Sequence, residues 1–220
     1  MKLETRNSKP VATFAAALLA LCGCGYQGGV LLSVLGAGQM HKVEAEYKLS
    51  DGPVLVLVDD LEERLTWPDA RELLTEETTK LLIEHKATKK IISPETVARF
   101  RRGTPQFETR GAREIGRMVE ADQVVWLEVK AFIAQEEMQD TSQAAILTVT
   151  VKVIDPNAEE RSQVRLWPTV PEGRPVTTQL NSSDVVRLKT LPNIGRELCE
   201  KTAKEVAKLF YKHPIEDPDE

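Results

Sequence analysis

The chain has 220 residues, of which 29 are lysine or arginine and 34 are aspartate or glutamate, so its formal net charge is −5. Apolar residues make up 41% of the sequence, charged residues 29% and aromatic residues 5%. This composition excludes a collagen, a coiled-coil rod, a disordered acidic tail and a disulfide-stapled miniprotein. The acidic balance also argues against a nucleic-acid partner, which usually requires a basic face.

The amino terminus has the pattern of a secretory signal peptide. Residues 1–10 carry three basic side chains against one acid, and Val11–Cys22 is an uncharged apolar run of 12 residues. A membrane-spanning helix needs ~20 apolar residues, so this run is too short to span comfortably. A basic start followed by a short apolar core and small residues predicts export from the cytosol.

The end of this segment resembles the lipobox of bacterial lipoproteins. In Leu21-Cys22-Gly23-Cys24 an aliphatic residue is followed by a loosely specified one, a small one and the cysteine that is lipidated. We therefore predict a lipoprotein signal peptide over 1–23 and lipidation of Cys24. The alternatives are an ordinary signal peptide with incidental cysteines and an uncleaved anchor.

This resemblance implies several acyl chains, palmitate among them, which hold a protein to a bilayer more firmly than one chain does. The implied location is the cell envelope, with the protein facing the periplasm. Gly25 is not the aspartate that retains many such proteins at the inner membrane, so the outer membrane is favoured. After cleavage only Cys199 is left unmodified, and it is expected to be a small buried residue.

Residues 24–40 read as a flexible lipidated tether with an apolar middle, Val30–Leu35. That middle could rest on the bilayer, add an edge strand or pack on the domain. A single domain is predicted over 41–213, followed by an acidic tail at 214–220. Its first segment, His41–Leu49, alternates apolar and charged residues and suits an edge strand or an extended lead-in.

The first half of this domain alternates strands and helices. Val54–Val58 is an uninterrupted apolar run, typical of a strand buried on both faces. The elements predicted after it are a helix over Trp67–Lys86 capped by Thr66, a strand over Lys90–Ser93, a helix opened by Ser93 and closed at Gly103, and a helix over Thr109–Glu120.

The second half reads as an antiparallel meander and a closing helix. Its predicted elements are long strands at Val124–Ile133 and Ala145–Ile154, a polar loop at Gln135–Gln143, a third strand at Ser162–Trp167, a loop at Pro168–Asn181 and a helix at Leu191–Tyr211. The order is therefore β-α-β-α-α-β-β-β-α. It predicts an α/β fold with a single mixed β-sheet and helices packed on it.

Asp59 and Asp60 follow the buried strand directly and are the sharpest polar feature of the chain. Ligands gather at the carboxyl ends of strands in open α/β sheets, and paired acids there can hold Mg²⁺. One hypothesis is thus a metal- or small-ligand-binding enzyme that uses these two residues and Asp122. The other is a turn or capping role, and it is favoured because Lys90–Ser93 ends without a further acid. No catalytic residue, metal or cofactor is predicted.

Two features are candidates for binding a partner. Arg99, Arg101 and Arg102 form a basic cluster that could dock an anionic partner, with further arginines at 110, 113 and 117. Trp167, next to the 168–181 loop, could anchor a protein partner. The alternatives are a solvated helix face for the arginines and core or rim packing for the tryptophan.

The mature chain resembles the envelope-lipoprotein fold group that includes the amino-terminal domain of TolB, the curli-secretion lipoprotein and the lipoprotein activators of penicillin-binding proteins. The matching segments are VLVLVDD with the helix and KIIS after it, SPETVARF, Glu120-Ala121-Asp122 leading into VVWLEV, and VKVID followed by RLWP. The resemblance implies no shared catalytic residues and members that bind partners or assemble into rings.

The predicted function is a non-enzymatic, lipid-anchored envelope protein that acts as a binding or assembly factor. Its predicted partners are the membrane, through the anchor, and an envelope protein, with a homo-oligomer as a further option. The alternative, besides the enzyme, is a structural lipoprotein that ties the membrane to a cell-wall polymer.

Overall fold

The first half of the domain alternates strands and helices, and the second half adds antiparallel strands and two helices. The computed structural model describes residues 42–134 and 145–215. The strands are β1 Lys42–Val43, β2 Pro53–Asp59, β3 Lys90–Ile91, β4 Gln123–Ile133, β5 Ala145–Ile154, β6 Arg165–Trp167, β7 Arg174–Leu180 and β8 His213–Pro214. The α-helices are α1 Ala70–Glu84, α2 Pro94–Gly103, α3 Ala112–Met118, α4 Ser182–Leu188 and α5 Leu191–Lys208, and Phe107–Thr109 forms a 3₁₀ turn.

One mixed sheet organises these elements, as the sequence predicts. Its strand order is β3-β2-β4-β5-β6, and β7 also pairs with β5. β2 runs parallel to both β3 and β4, whereas β4, β5, β6 and β7 pair antiparallel. The small pair of β1 and β8 forms a second, two-stranded sheet. The predicted α/β fold class is therefore confirmed.

The central strand β2 is buried on both faces, because helices cover each side of the sheet. Val54–Val58 are at most 4% exposed. On one face the valines of β2 share a core cluster with buried residues of α1 and α5. On the other face Leu55 and Leu57 cluster with Val97 of α2 and Ile115 of α3. The uninterrupted apolar run thus has the burial that its sequence predicts.

The two helices on the first face, α1 and α5, bury large apolar side chains against the sheet. Leu74 and Leu82 of α1 and Ile194 and Leu198 of α5 are each 0% exposed. Cys199 is buried in the same cluster, where its Sγ lies 3.6 Å from the backbone oxygen of Ala70. Its predicted role as a small buried residue is therefore confirmed.

The loop predicted at Pro168–Asn181 is wrong in its second half, where the chain forms β7. Val176, Thr178 and Leu180 alternate inward and are buried, while the residues between them are exposed. This period of two is that of a half-buried strand. Pro175 is tolerated because β7 has β5 as its partner and lies at an edge of the sheet.

Several predicted boundaries also need correction. The segment His41–Leu49 is predicted as an edge strand or an extended lead-in, and of its described residues only Lys42–Val43 pair as a strand. The N–H groups of Glu46 and Tyr47 donate instead to the backbone oxygen of Leu209 at 2.8 and 3.1 Å. The first helix starts at Ala70, so its N-cap is Asp69 and Thr66 does not cap it. The helix predicted at Thr109–Glu120 is also shorter, at Ala112–Met118 (α3), and the strand predicted at Ser162–Trp167 is shorter, at Arg165–Trp167 (β6).

Candidate functional site

A cleft of about 430 Å³ opens between α1 and α2 beside the carboxyl-terminal half of β2. Its floor is the strand itself, at Val56, Leu57 and Val58. The other lining residues are Asp60, Glu63 and Leu65 from the loop after β2, Pro68, Arg71, Glu72 and Thr75 around the start of α1, and Pro94, Val97, Ala98, Arg101 and Arg102 from α2. The cleft therefore brings together Asp60 of the acidic pair and Arg101 and Arg102 of the arginine cluster, so it holds part of each polar feature that the sequence singles out.

The cleft exists because the strand next to β2 is very short. β3 has two residues, which lie opposite Pro53 and Val54. Ser93 then caps α2, accepting a hydrogen bond from the backbone N–H of Glu95 at 3.2 Å, and the chain leaves the sheet. On this side no strand of the described ranges pairs with the remaining half of β2, and α2 forms one wall of the cleft there.

Asp59, the last residue of β2, and Asp60, which follows it, both accept internal hydrogen bonds. Asp60 is 6% exposed, and its two carboxylate oxygens accept from the backbone N–H groups of Arg64 and Leu65, both at 2.9 Å. Asp59 accepts from the indole Nε1 of Trp126 at 3.2 Å. These contacts hold the loop after β2 in place, which is the turn role that the sequence favours.

Asp122 does not join the acidic pair. It precedes β4, and its N–H donates to the backbone oxygen of Pro53 at 2.8 Å, so it lies at the start of β2. Asp59 stands at the other end of the same strand, six residues on, or about 20 Å away at the rise of an extended chain. A metal site built from all three acids is thus ruled out by the fold. Within 42–134 and 145–215, no three His, Cys, Asp or Glu side chains are placed to share a metal ion.

The structure divides the arginine cluster. Arg101 and Arg102 line the cleft, and the guanidinium of Arg101 also lies 5.3 Å from the ring centroid of Phe107. Arg99 lies outside the cleft, beside a smaller groove formed with Phe100, Gly103 and Thr104. The helical rotation of about 100° per residue explains the split, because Arg101 follows the buried Val97 by one turn and Arg99 does not.

The three later arginines act within the domain. The Nε groups of Arg113 and Arg117 donate to the backbone oxygen of Pro156 at 3.3 and 2.6 Å, which ties α3 to the turn after β5. Arg110, which lies just before α3, pairs with Glu114 of that helix. These contacts make only the cluster on α2 a candidate for binding.

Trp167 lies inside an aromatic group of the domain. Its ring centroid is 6.1 Å from that of Tyr47 and 6.0 Å from that of Phe210, and the residue is partly buried. This is the packing role that the sequence left open as the alternative. Its use as an anchor for a partner stays a prediction.

The sequence did not predict one cluster of polar side chains, formed by Glu128 and Lys152 beside Trp126. It lies on the face of the sheet that α2 and α3 cover, where Lys152 donates to Glu128 at 2.6 Å and lies 4.8 Å from the ring centroid of Trp126. Burial opposes ionisation of Glu128, but the hydrogen bond and charge of Lys152 outweigh it, so the pKa of this carboxyl is lowered. The register that pairs Trp126 with Lys152 brings these residues together. From the sequence, only the alternation of side chains along the two strands could have predicted that these residues share one face of the sheet.

Several predictions concern residues outside the described ranges. They are the signal peptide at 1–23, lipidation of Cys24, the tether at 24–40, the loop at 135–143 and most of the tail at 214–220. Of the helices in the described ranges, none combines the length and the apolarity needed to span a bilayer.

The fold is similar to several solved structures. The PelC dodecamer of Paraburkholderia phytofirmans matches at a TM-score of 0.42 and 15% identity, over 78% of this chain and 96% of that one. Lipoprotein GNA1162 of Neisseria meningitidis matches at 0.40 and 12%, over 60% and 82%. The carboxyl-terminal domain of LpoB from Salmonella enterica matches at 0.32 and 15%, over 69% and 93%.

One of these structures, GNA1162, is a lipoprotein, which agrees with the resemblance drawn from the sequence. No protein-family model and no curated protein matches the chain. At these identities the likeness concerns the fold alone, so the function has to be argued from the residues of this chain.

Proposed function

We propose that this protein is a lipid-anchored component of the cell envelope that acts without catalysis, as a binding or assembly factor for an envelope complex. The anchor is Cys24, and the domain faces the periplasm, at the outer membrane by the identity of Gly25. The support for the anchor is the lipobox pattern at Leu21–Cys24, with a basic start and a short apolar run before it.

The observation that carries the binding role is the contrast between the acids and the arginines of the cleft. Both carboxylate oxygens of Asp60 accept backbone hydrogen bonds and the residue is buried, so it is committed to the loop. Arg102 is exposed at the mouth of the same cleft. A cleft whose buried acid is structural and at whose mouth a cation faces solvent favours binding over acid–base chemistry.

The buried thiol supports the same interpretation. Burial raises the pKa of Cys199 to about 12, with a smaller contribution from the nearby charge of Glu200. The thiolate is the nucleophilic form of cysteine, so this thiol is unsuited to covalent catalysis near neutral pH.

The anchor is tested by comparing Cys24→Ala with Cys22→Ala in the producing cell. The two cysteines are two residues apart, so the second variant controls for loss of a cysteine from the signal region. We expect palmitate labelling and membrane partitioning to be lost in Cys24→Ala and kept in Cys22→Ala. Equal labelling of both variants, or none in the unaltered chain, would contradict the anchor.

The binding role is tested by crosslinking in the cell. A photoreactive amino acid is placed at Arg99, at Arg102 and, as a control, at the exposed Arg196 of α5. We expect a discrete crosslink to an envelope protein from at least one position on α2 and none from position 196. Identical patterns from all three positions, or no crosslink from any, would refute a specific partner on α2.

A further inference from the structure

The edge of β2 that faces β3 is paired over its first part only. The N–H of Ile92 donates to the backbone oxygen of Val54 at 2.8 Å, and β3 has ended by then. The next donor in a parallel ladder would be residue 94, which would reach the oxygen of Val56. That residue is Pro94, which has no N–H, so the sequence itself stops the ladder at this point.

The backbone groups of Val56 and Val58 point into the cleft. Val54 faces β3, whereas the oxygen of Pro53 accepts from Asp122 on the β4 side. Successive residues of a strand direct their N–H and C=O groups to opposite edges, so Val56 and Val58 share the direction of Val54. From that side, no backbone hydrogen bond reaches either residue within the described part of the chain.

These groups are also shielded from bulk water. Val56 is 1% exposed and Val58 is 2% exposed. Buried backbone N–H and C=O groups are almost always paired in folded proteins, because leaving them unpaired is costly. Val56 and Val58 line the cleft, and their two donors and two acceptors, spaced as in a strand, match the main chain of an additional strand.

The walls of the cleft suit the side chains of such a strand. Side chains of an added strand would alternate between the two faces of the sheet. On the α2 side they would meet Val97 and Ala98, with the arginines beyond, and on the α1 side they would meet Pro68 and Thr75.

The two walls of the cleft differ in their charged side chains. Arg102 lies on the α2 side, is exposed, and forms no ion pair with any residue in 42–134 or 145–215. Glu63 and Glu72 line the cleft on the side of α1 and its preceding loop, where Arg71 also lies. An acidic side chain of the occupant would therefore be attracted to the α2 side.

We propose that this cleft binds an extended segment of a partner protein, which pairs with β2 through the backbone of Val56 and Val58 and places an acidic side chain beside Arg102. The proposal rests on the proposed function, since it names the surface by which the protein would bind its partner. Its occupant is a peptide, recognised by its main chain and by one carboxylate.

The first test asks whether main-chain recognition occurs. Short random peptides displayed on phage are selected against the full chain in detergent, and the enriched peptides are synthesised with single N-methyl groups at each position in turn. We expect acidic residues to be enriched, and N-methylation to weaken binding about tenfold at the alternate positions that face β2, with little effect between them. No enriched binder, or binding that is insensitive to N-methylation at every position, would overturn strand addition.

The second test places the peptide in this cleft. Ala98→Trp fills the cleft, and Glu95→Trp puts the same side chain on an exposed position of the same helix outside it. Arg102→Glu reverses a charge that lines the cleft, and Arg196→Glu reverses an exposed charge of α5 that does not. We expect about tenfold weaker binding or more for the first of each pair and less than about twofold for the second. Equal effects within both pairs would refute the site.

A third measurement does not depend on any variant and so guards against misfolding. In the full chain with isotope-labelled valine, hydrogen exchange of the Val56 and Val58 amides should slow when the peptide is added. Unchanged exchange under saturating peptide would overturn the proposal. Slowing that follows protein concentration without peptide would assign the cleft to a second copy of the chain instead.

The two proposals can fail separately. A crosslink from position 99 but not from 102, together with failed peptide selection, would keep the binding role and remove the cleft. Peptide binding with the expected pattern, but no crosslink in the cell, would keep the cleft and remove the envelope partner.

Discussion

The two backbone hydrogen bonds to the buried Asp60 predict a large loss of stability when its carboxylate is removed. Hydrogen bonds to charged groups contribute about 1.5–3 kcal/mol each, and a buried donor left unpaired adds a penalty. Asp60→Ala removes the acceptor for the N–H groups of Arg64 and Leu65 at once. Since the loop can relax and admit some water, we expect the free energy of unfolding to fall by about 2–4 kcal/mol.

Thermal unfolding measures this loss. For a domain of 150–250 residues each kcal/mol shifts Tm by roughly 2–4 °C, so the variant should unfold roughly 4–16 °C lower than the unaltered chain. Asp60→Asn keeps one acceptor oxygen, and its Tm should lie between the two. Asp51→Ala is the matched control, because Asp51 is exposed and only pairs with Lys89 at 2.8 Å on the surface. Its Tm should change little.

The same experiment separates the turn role from the metal hypothesis. If Asp60 held Mg²⁺, millimolar Mg²⁺ would raise the Tm of the unaltered chain, and Asp60→Asn would abolish that rise. We expect no dependence on Mg²⁺, since both oxygens are already committed to backbone donors. An Asp60→Ala variant as stable as the unaltered chain, or a Mg²⁺-dependent Tm lost in Asp60→Asn, would refute the reasoning.

Two further predictions concern packing and ionisation in the core under α1 and α5. A Cβ at Gly195 would lie 2.5 Å from a ring carbon of Trp67, so Gly195→Ala should lower the free energy of unfolding by about 1–2 kcal/mol in denaturant titration, because the clash outweighs the better helix propensity of alanine. A Cβ at Gly103 would meet nothing within 4 Å, so Gly103→Ala is the control and should be neutral or stabilising. A larger loss for Gly103→Ala than for Gly195→Ala would contradict the packing. Burial raises the pKa of Cys199 from 9.0 to about 12, so the unfolded chain releases the thiol proton first and stability should fall as pH rises from 9 towards 12. Cys199→Ala should remove that part of the fall, and identical profiles for the two proteins would show that the thiol ionises equally in both states.

The sequence predicted the elements whose signals are local and strong. The apolar run at Val54–Val58, the cap at Ser93 and the strand at Ala145–Ile154 have the structure that their patterns indicate. The strand β7 was missed because prolines dominate its neighbourhood and conceal the alternation of Val176, Thr178 and Leu180. A proline argues against a central strand, but it is compatible with the first residues of an edge strand. The sequence does not say which strand lies at the edge.

The candidate site was harder to predict than the fold, because it depends on contacts between distant segments. Helical spacing could have placed Arg101 in line with the buried Val97, and so apart from Arg99. Val97 and Arg101 both line the cleft beside the open half of β2, and the extent of that open half depends on how far β3 runs along β2. β3 ends at Ile91, and Pro94 has no N–H that could extend the pairing to the oxygen of Val56, a consequence that appears only when the register of the two strands is known.

A strand-addition site of this size would bind weakly by itself, and an anchor would compensate for that weakness. Each backbone hydrogen bond contributes only about 0.5–1.5 kcal/mol net, and the groups of Val56 and Val58 offer few of them. An isolated peptide also loses conformational entropy when it is held in one extended form. Confinement of two proteins to one membrane raises their effective concentration, so contacts of low intrinsic affinity can still form a complex. The proposed lipidation of Cys24 and the proposed binding edge of β2 would therefore complement each other: the first would bring the partner near, and the second would select which segment of it is bound.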